Sequence, residues 1–504
     1  MYSNQYFTIP NFLKRKSFVV TALSALFLVG CDSSSDDDDD STGGLRFYNL
    51  SNNAPAIYLT VDEDLSDDDE DAFEKTYSGV DFTELSASTN IATGDYFYEI
   101  AYQTEDSSYR EDLSIVLEGD MNIDSETTHL MVLNSDISSP EVNMFQIPVI
   151  DDDNDDDDDL FNLRVLNMFN GDDLPNVYLS KDDETFNEAQ LFGAYSYKEL
   201  SDNQKFEQDT YIFYVTDPVS NEVVYESDEI SFSYASQYVM VLRENTATGN
   251  SPYLLDKISN SAVVEYIDVN TESHIRAYNA IKTHALLPEY LGDISINLDN
   301  IDSTSSTESI AFGEFSETLT QEDGDYSIDV AIPDSSANLI SNHLLSLPEN
   351  ADKTIFFYLE ETNVDDDNDG DFDEDNDGEI DEVEVTVNSV LVENSNSESI
   401  YDHKITLINL INHDDFDFVR FYFVRNNELI STTPYEALAS FAQPVYSTLL
   451  NNTYEVYIVA QDGSSEVILH SFELVLNETS NDSFMVVQDD DSTASGYRVS
   501  IEDQ

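Results

Sequence analysis

Residues Leu45 to Asn49 read LRFYN, and three later stretches copy that pattern: LRVLN from Leu163 to Asn167, IRAYN from Ile275 to Asn279 and ITLIN from Ile405 to Asn409. Each is a short apolar run that stops at an asparagine, the form of a strand closed by a turn residue. Downstream of each, at a nearly constant distance, comes an aromatic-rich run headed by a tyrosine: Tyr96, Tyr211, Tyr326 and Tyr454. A third apolar run follows, at Leu130 (LMVL), Val239 (VMVL), Ile355 (IFFYL) and Phe484 (FMVV). Three landmarks in four places at fixed spacing define an internal repeat of short strands and turns, the size of a β-sandwich.

Finer marks agree. Gly79 to Leu85, Gly193 to Leu200 and Gly313 to Leu319 occupy one place in the first three copies, and the fourth has Phe441-Ala442-Gln443-Pro444 there instead. Alternation of period two in Ile294 to Leu298 and in Tyr454 to Ile458 is the pattern of half-buried strands. Asn338 to Leu347 and Pro434 to Phe441 read as short helices on connections. The repeated tyrosines read as core residues whose hydroxyl reaches a polar rim.

The openings, above all Leu45 to Asp62 and Leu163 to Ser180, resemble a bacterial envelope domain family of unknown function that begins with an R-V-x-N/H-x-S-x-x-A-P run. Arg46, Asn49, Ala54, Pro55 and Tyr58 carry the likeness in the first copy, and Arg164, Asn167, Pro175 and Tyr178 in the second. The third keeps Arg276, Asn279, Asp325 and Tyr326; the fourth has Thr406 where arginine is usual. The resemblance implies tandem immunoglobulin-like β-sandwiches on an exported protein and brings no catalytic residue with it. The fold class expected is therefore all-β, four tandem immunoglobulin-like β-sandwich domains after a lipoprotein signal peptide and an acidic tether. The expected bounds are signal peptide 1–30, tether 31–44, sandwiches 45–150, 161–270, 271–400 and 401–504, and an acidic linker 151–160.

The address lies in the first residues. Lys14, Arg15 and Lys16 precede an apolar stretch from Ser17 to Gly30, too short for a membrane span, and Leu28-Val29-Gly30-Cys31 resembles the bacterial lipobox. That resemblance implies cleavage before Cys31, diacylglycerol on its sulfur and an acyl chain such as palmitate on its new amino terminus, enough for stable anchoring. Asp32 leans toward the periplasmic face of the inner membrane, with the outer membrane or cell surface as the alternative. With Cys31 the only cysteine, disulfides within the chain and cysteine-based zinc sites are excluded.

The chain has 504 residues, 105 of them Asp or Glu against 19 Lys or Arg, and a formal net charge of -86. That balance argues against nucleic-acid binding, which needs clustered cations. At 40% hydrophobic residues the chain is nevertheless no acidic disordered tail. Like charge at this density repels itself and is relieved by salt. A third of the acids fall in four clusters: the tether, Asp62 to Asp71, the linker Asp151 to Asp159, and Asp365 to Glu384.

The last cluster is the most specific chemical signal. Asp365, Asp367 and Asp369 lead into Asp373-x-Asp375-x-Asp377-Gly378-x-Ile380-Asp381-x-x-Glu384, which matches the twelve-residue calcium loop. Alternate oxygens converge on a hard cation, glycine permits the turn and the last glutamate closes the site. The flanks, TIFFYL and VEVTV, are strand-like, so the run reads as a Ca2+ loop set in a β-hairpin. The competing reading is a solvated acidic loop.

No nucleotide-binding, serine-hydrolase or zincin motif occurs, and the seven histidines have no ligand-type spacing. Three readings follow. The first is a non-catalytic, lipid-anchored envelope protein acting as spacer or protein-binding module, its partner an unknown protein or glycan. The second is a carbohydrate-binding or adhesin-like surface lipoprotein, which an exposed row of Tyr or Phe would favour. The third is an enzyme, which an enclosed pocket with convergent polar groups would favour.

Overall fold

In a computed structural model, eight strands come first among the described residues, and the remainder repeats them. The structure describes residues 41–504 except 64–72, 105–106, 108–109, 151–158, 172–173, 247–248, 250, 261, 271, 302, 365–371, 373–381, 396, 412–415, 417, 435 and 463–464. The first sandwich comprises β1 (Thr42–Asn49), β2 (Ile57–Asp62), β3 (Glu74–Val80), β4 (Thr89–Ala92), β5 (Gly94–Tyr102), β6 (Ser114–Ile123), β7 (Thr127–Asn134) and β8 (Glu141–Pro148). They form two sheets, ordered β4-β1-β7-β8 and β3-β2-β5-β6. The same two orders recur around the first and seventh strands Leu160–Asn167 and Gln237–Glu244, Glu272–Ala280 and Asp352–Asn363, and Asp402–Leu410 and Ser483–Asp489. The protein is thus four tandem β-sandwiches.

In every copy the first and seventh strands run parallel, Leu45 opposite His129 and Asn49 opposite Leu133 in the first. Parallel neighbours need a long crossover, here supplied by the second sheet. The eighth strand runs antiparallel to the seventh, so each eight-strand unit ends where it began: Thr127 pairs Pro148 beside the start of β1. The first and second sandwiches, and the third and fourth, lie side by side. Some edge positions are split into two short strands in the second and third sandwiches, and beyond the eight positions the second adds a ninth, Val263–Tyr266, which pairs its eighth and carries the chain back to the other end.

The repeated asparagine is the corner at which the chain leaves one sheet for the other. Asn49, Asn167, Asn279 and Asn409 are all buried, and each side-chain oxygen accepts the backbone N–H two residues on, at 2.9 to 3.1 Å. Each amide nitrogen donates to a carbonyl of the opposite sheet or its connection, among them Val80, Tyr195, Ile310 and Ala439. Such local turn closure suits asparagine better than any apolar residue. Each asparagine carbonyl in turn accepts the N–H of a residue with positive φ: Thr83, Lys198, Gly313 and Ala442. Ala442 shows that the fourth copy keeps the corner its sequence had disguised.

The repeated tyrosines also do one job. Tyr96, Tyr211, Tyr326 and Tyr454 are buried, and each donates its hydroxyl to the carbonyl four residues upstream, at 2.7 to 3.0 Å. This is the logic of a tyrosine corner, in which an aromatic body fills the core and its polar tip ties down the approach to the strand.

Two expectations are corrected. Asn338–Leu347 is a strand, not a helix; it pairs Gly324–Ala331 through register shifts, and the bulge at Asn342 (φ 56°) breaks the alternation a strand would otherwise display. The other expected helix is the strand Glu436–Ala439, whose pairing with Val419–Tyr422 overrides the helix propensity of Glu-Ala-Leu-Ala. The first strand also begins at Thr42, inside the stretch read as tether. Gly43 pairs Ile91, and a Cβ there would meet the Asp124 carbonyl oxygen at 2.3 Å, which is why glycine stands at that point. Among the described residues no helix is long and apolar enough to cross a membrane.

Candidate functional site: the joints between sandwiches

Cys31 and the aspartates 365, 367, 369, 373, 375, 377 and 381 lie outside the described residues. The hairpin expected around them is present. Asp352–Asn363 and Val383–Glu393 pair in unbroken antiparallel register out to Asn363 opposite Val383, and the exposed Glu384 sits in the ladder opposite Thr362. Those strands have 12 and 11 residues, against 8 and 8 in the first sandwich. Among the described residues no group of three or more His, Cys, Asp or Glu is placed to hold a metal.

What the sequence reading missed is the outer face of each first sheet. The seventh strands are buried on both sides, because one side packs into its own sandwich and the other into a neighbour. Tyr48, Leu130, Val132, Phe145 and Ile147 of the first sandwich meet Leu166, Met168, Val239, Val241 and Ile258 of the second in one apolar cluster. Tyr278, Ala280, Phe356 and Tyr358 of the third meet Ile408, Leu410, Phe484 and Val486 of the fourth in another. Fully burying one such aliphatic or aromatic side chain contributes about 1.5 to 3 kcal/mol, so these clusters dominate the joints.

A polar insert sits in each apolar joint. At the first, Tyr48 donates its hydroxyl across the joint to Asp256 Oδ2 at 2.5 Å, and Arg243 Nε donates to the same oxygen at 2.5 Å. Asp256 and Tyr48 are fully buried, Arg243 nearly so, and Arg243 also pairs with the half-exposed Glu265. Burial first, then the Asp256 charge, push the Tyr48 phenol well above its ordinary range. Burial alone would lower the Arg243 guanidinium; the charges of Asp256, Tyr48 and Glu265 outweigh it and hold it up. At the second joint Tyr278 donates to Gln488 Oε1 at 2.7 Å and lies 3.0 Å from Ser500 Oγ, and burial raises its phenol.

Arginines of the sequence pattern reach across too. Arg46 Nη1 donates to the Ser259 carbonyl at 2.5 Å, and burial pushes its pKa down to about 10. Arg276 Nη2 donates to the Asp503 carbonyl, at the matching end of the fourth sandwich. Arg164, by contrast, stays within its own sandwich on the Ser201 carbonyl. Corner residues add rim contacts: Tyr197 accepts from Asn134 Nδ2 at 2.9 Å, Lys198 pairs Glu141 at 2.5 Å, and Arg498 donates to the Phe312 carbonyl at 3.0 Å.

The concave sites found at these junctions are open grooves. One of about 360 Å³ runs along the first joint past Asn134, Tyr197 and Arg243. Another, of about 540 Å³, is lined by residues of all four sandwiches and carries Asp81, Glu265, Glu349 and Asp402. Burial first, then neighbouring carboxylates, raise the carboxyls of Asp81 and Glu349; burial raises Asp402. Beside it residues Glu398 to Tyr401 reach the first sandwich, where Tyr401 stacks on Tyr102 at 4.3 Å and Asn52 donates to Glu398. The most exposed aromatics, Tyr234 and Tyr446, stand on different sandwiches and form no row.

No protein-family model matches the chain, and no curated protein matches it. Among solved structures, the TIE protein of Bacillus anthracis aligns over 90% of this chain and 75% of its own, at 9% identity and a TM-score of 0.15. A DUF3823 family protein from Bacteroides ovatus aligns over 41% and 100%, at 11% identity and a TM-score of 0.13. The tip fimbrial protein Mfa3 from Porphyromonas gingivalis aligns over 45% and 99%, at 8% identity and a TM-score of 0.13. The fold assignment itself rests on the sheet orders and registers above.

Proposed function

We propose that this chain is a non-catalytic, lipid-anchored protein of the bacterial cell envelope that works as a protein-binding module. The observation that carries the reading is the use made of the repeated polar residues. The asparagines and tyrosines present in all four copies are buried and bonded to backbone, so they serve the fold, and the joints cover the outer faces of the first sheets, which leaves those of the second sheets for a partner. Of the two forms of the reading, binding module is favoured over spacer, because sandwiches that begin and end at one end give little reach per residue. Anchoring would come through acylated Cys31, with the membrane as one partner and a protein or glycan as the other.

The test is fractionation of cells making the full chain or its Cys31→Ser form. The wild type should sediment with membranes and incorporate labelled palmitate, and the variant should do neither. A variant that remains membrane-bound would overturn the anchor.

Calcium binding at Asp365, Asp367, Asp369, Asp373, Asp375, Asp377, Asp381 and Glu384 belongs to the same proposal. The long hairpin that presents the run supports it, and the affinity expected of an extracellular module is in the range of roughly 0.1 to 1 mM. Calorimetric titration of Ca2+ into the full chain should give heat that Asp373→Ala/Asp377→Ala abolishes; absence of heat in the wild type would leave only a solvated loop.

A further inference from the structure

Four sandwiches could be joined as four equal links, but the joints are of two kinds. The outer face of the first sheet is used twice, between sandwiches one and two and between three and four. The contact from Glu398, Ile400 and Tyr401 to the first sandwich is of another type, a linker laid on a sandwich edge. The residue before the corner asparagine alternates accordingly: Tyr48 and Tyr278 in the first and third copies, Leu166 and Ile408 in the second and fourth. In each joint the tyrosine of the odd copy crosses to acceptors on the even one.

The acceptors correspond position for position. Leu166 pairs Val241, which pairs Asp256; Ile408 pairs Val486, which pairs Ser500. Asp256 thus stands where Ser500 stands, and Arg243, two residues beyond Val241, stands where Gln488 stands. The crossing arginines repeat the rule, since Arg46 and Arg276 belong to odd copies and both end on carbonyls at the close of the even copy's eighth strand. The ninth strand, Val263–Tyr266, is the last of the second sandwich and so stands, along the chain, where one pair ends and the next begins.

We propose that the outer face of the first sheet is a docking surface for one kind of partner, a complementary sandwich of the same fold, and that the chain is two copies of a two-sandwich unit. Within a unit the odd sandwich donates a tyrosine and an arginine, and the even sandwich supplies an apolar face with one acceptor site. Each unit gains and loses structure as one body, because a single sandwich would leave an apolar sheet face in water and a polar insert without its partner.

The proposal is tested on the full chain by amide hydrogen exchange read by mass spectrometry. Val241→Asp, which puts a charge into the first joint, should speed exchange at least tenfold in Thr42–Asn49 and Thr127–Asn134 as well as in Leu160–Asn167 and Gln237–Glu244. It should leave Asp352–Asn363 and Ser483–Asp489 at wild-type protection. Phe356→Asp should do the converse. Acceleration confined to the mutated sandwich, or spread over all four, would overturn the proposal. Should either variant fail to fold, the milder Ser500→Ala read in rising urea decides: protection lost at a lower urea concentration in both Glu272–Ala280 and Asp402–Leu410, with Thr42–Asn49 and Leu160–Asn167 unmoved, supports it, and a shift in one sandwich alone or in all four refutes it.

Discussion

The two joints share a geometry and differ in charge. The first encloses a guanidinium and a carboxylate under the Tyr48 hydroxyl; the second encloses an amide and a hydroxyl under Tyr278. Buried ion pairs cost about as much in desolvation as they return, whereas breaking one by removing a partner is severe. The two joints therefore need not differ much in strength, but they differ greatly in tolerance. The charged joint is all-or-none, and the neutral joint fails gently.

The largest effect should come from breaking the charged insert. Among the described residues Asp256→Ser leaves the buried Arg243 with the half-exposed Glu265 as its one remaining carboxylate, and should cost the first pair roughly 3 to 5 kcal/mol in denaturant titration. Ser500→Ala, at the matching place, should cost about 1 kcal/mol. Second, transplanting the neutral insert tests whether charge itself matters. The double change Arg243→Gln/Asp256→Ser should regain most of the loss caused by Asp256→Ser, since no unpaired charge remains; a double variant no better than the single would refute the account. Third, Tyr48→Phe removes a hydrogen bond to a charged group and should cost about 1.5 to 3 kcal/mol, against about 0.5 to 1.5 kcal/mol for Tyr278→Phe.

The smallest effect concerns pH, at the four-sandwich groove. Burial raises Asp402 in the folded state, so folding favours its protonated form. Its contribution is fully present below the ordinary carboxyl range and is lost as pH rises through the raised value. Asp402→Asn should therefore be more stable than wild type near neutral pH and flatten the decline of stability between the acid and neutral range. A variant with an unchanged pH slope would show that the carboxyl titrates normally.

Much of the fold was legible because its repeated residues have local duties. Asn49 and its three equivalents close turns, and Tyr96 and its equivalents tie a hydroxyl to a nearby carbonyl; duties of that kind hold a residue type at a fixed place along the chain. The joints were harder to read because their polar partners, Arg243 and Asp256, are long-range and differ from Gln488 and Ser500. A signal was present nonetheless. Leu130 to Leu133 and Val239 to Leu242 are apolar without alternation, which marks strands buried on both faces. The change from Tyr48 to Leu166 within an otherwise faithful repeat marked which copy faces which. Asn338 to Leu347 misled because a bulge shifts the pleat and leaves a spacing that imitates a helix.

One feature of the topology has a mechanical side. Since β1 starts beside the end of β8, tension carried along the chain enters and leaves the eight-strand unit at the same end. Such a load acts across the ladder and opens it rung by rung, where a pull along opposed strands would have to break all the rungs together. Under force such units yield early, and the first pair of sandwiches to give would lengthen the chain while the other pair stayed folded.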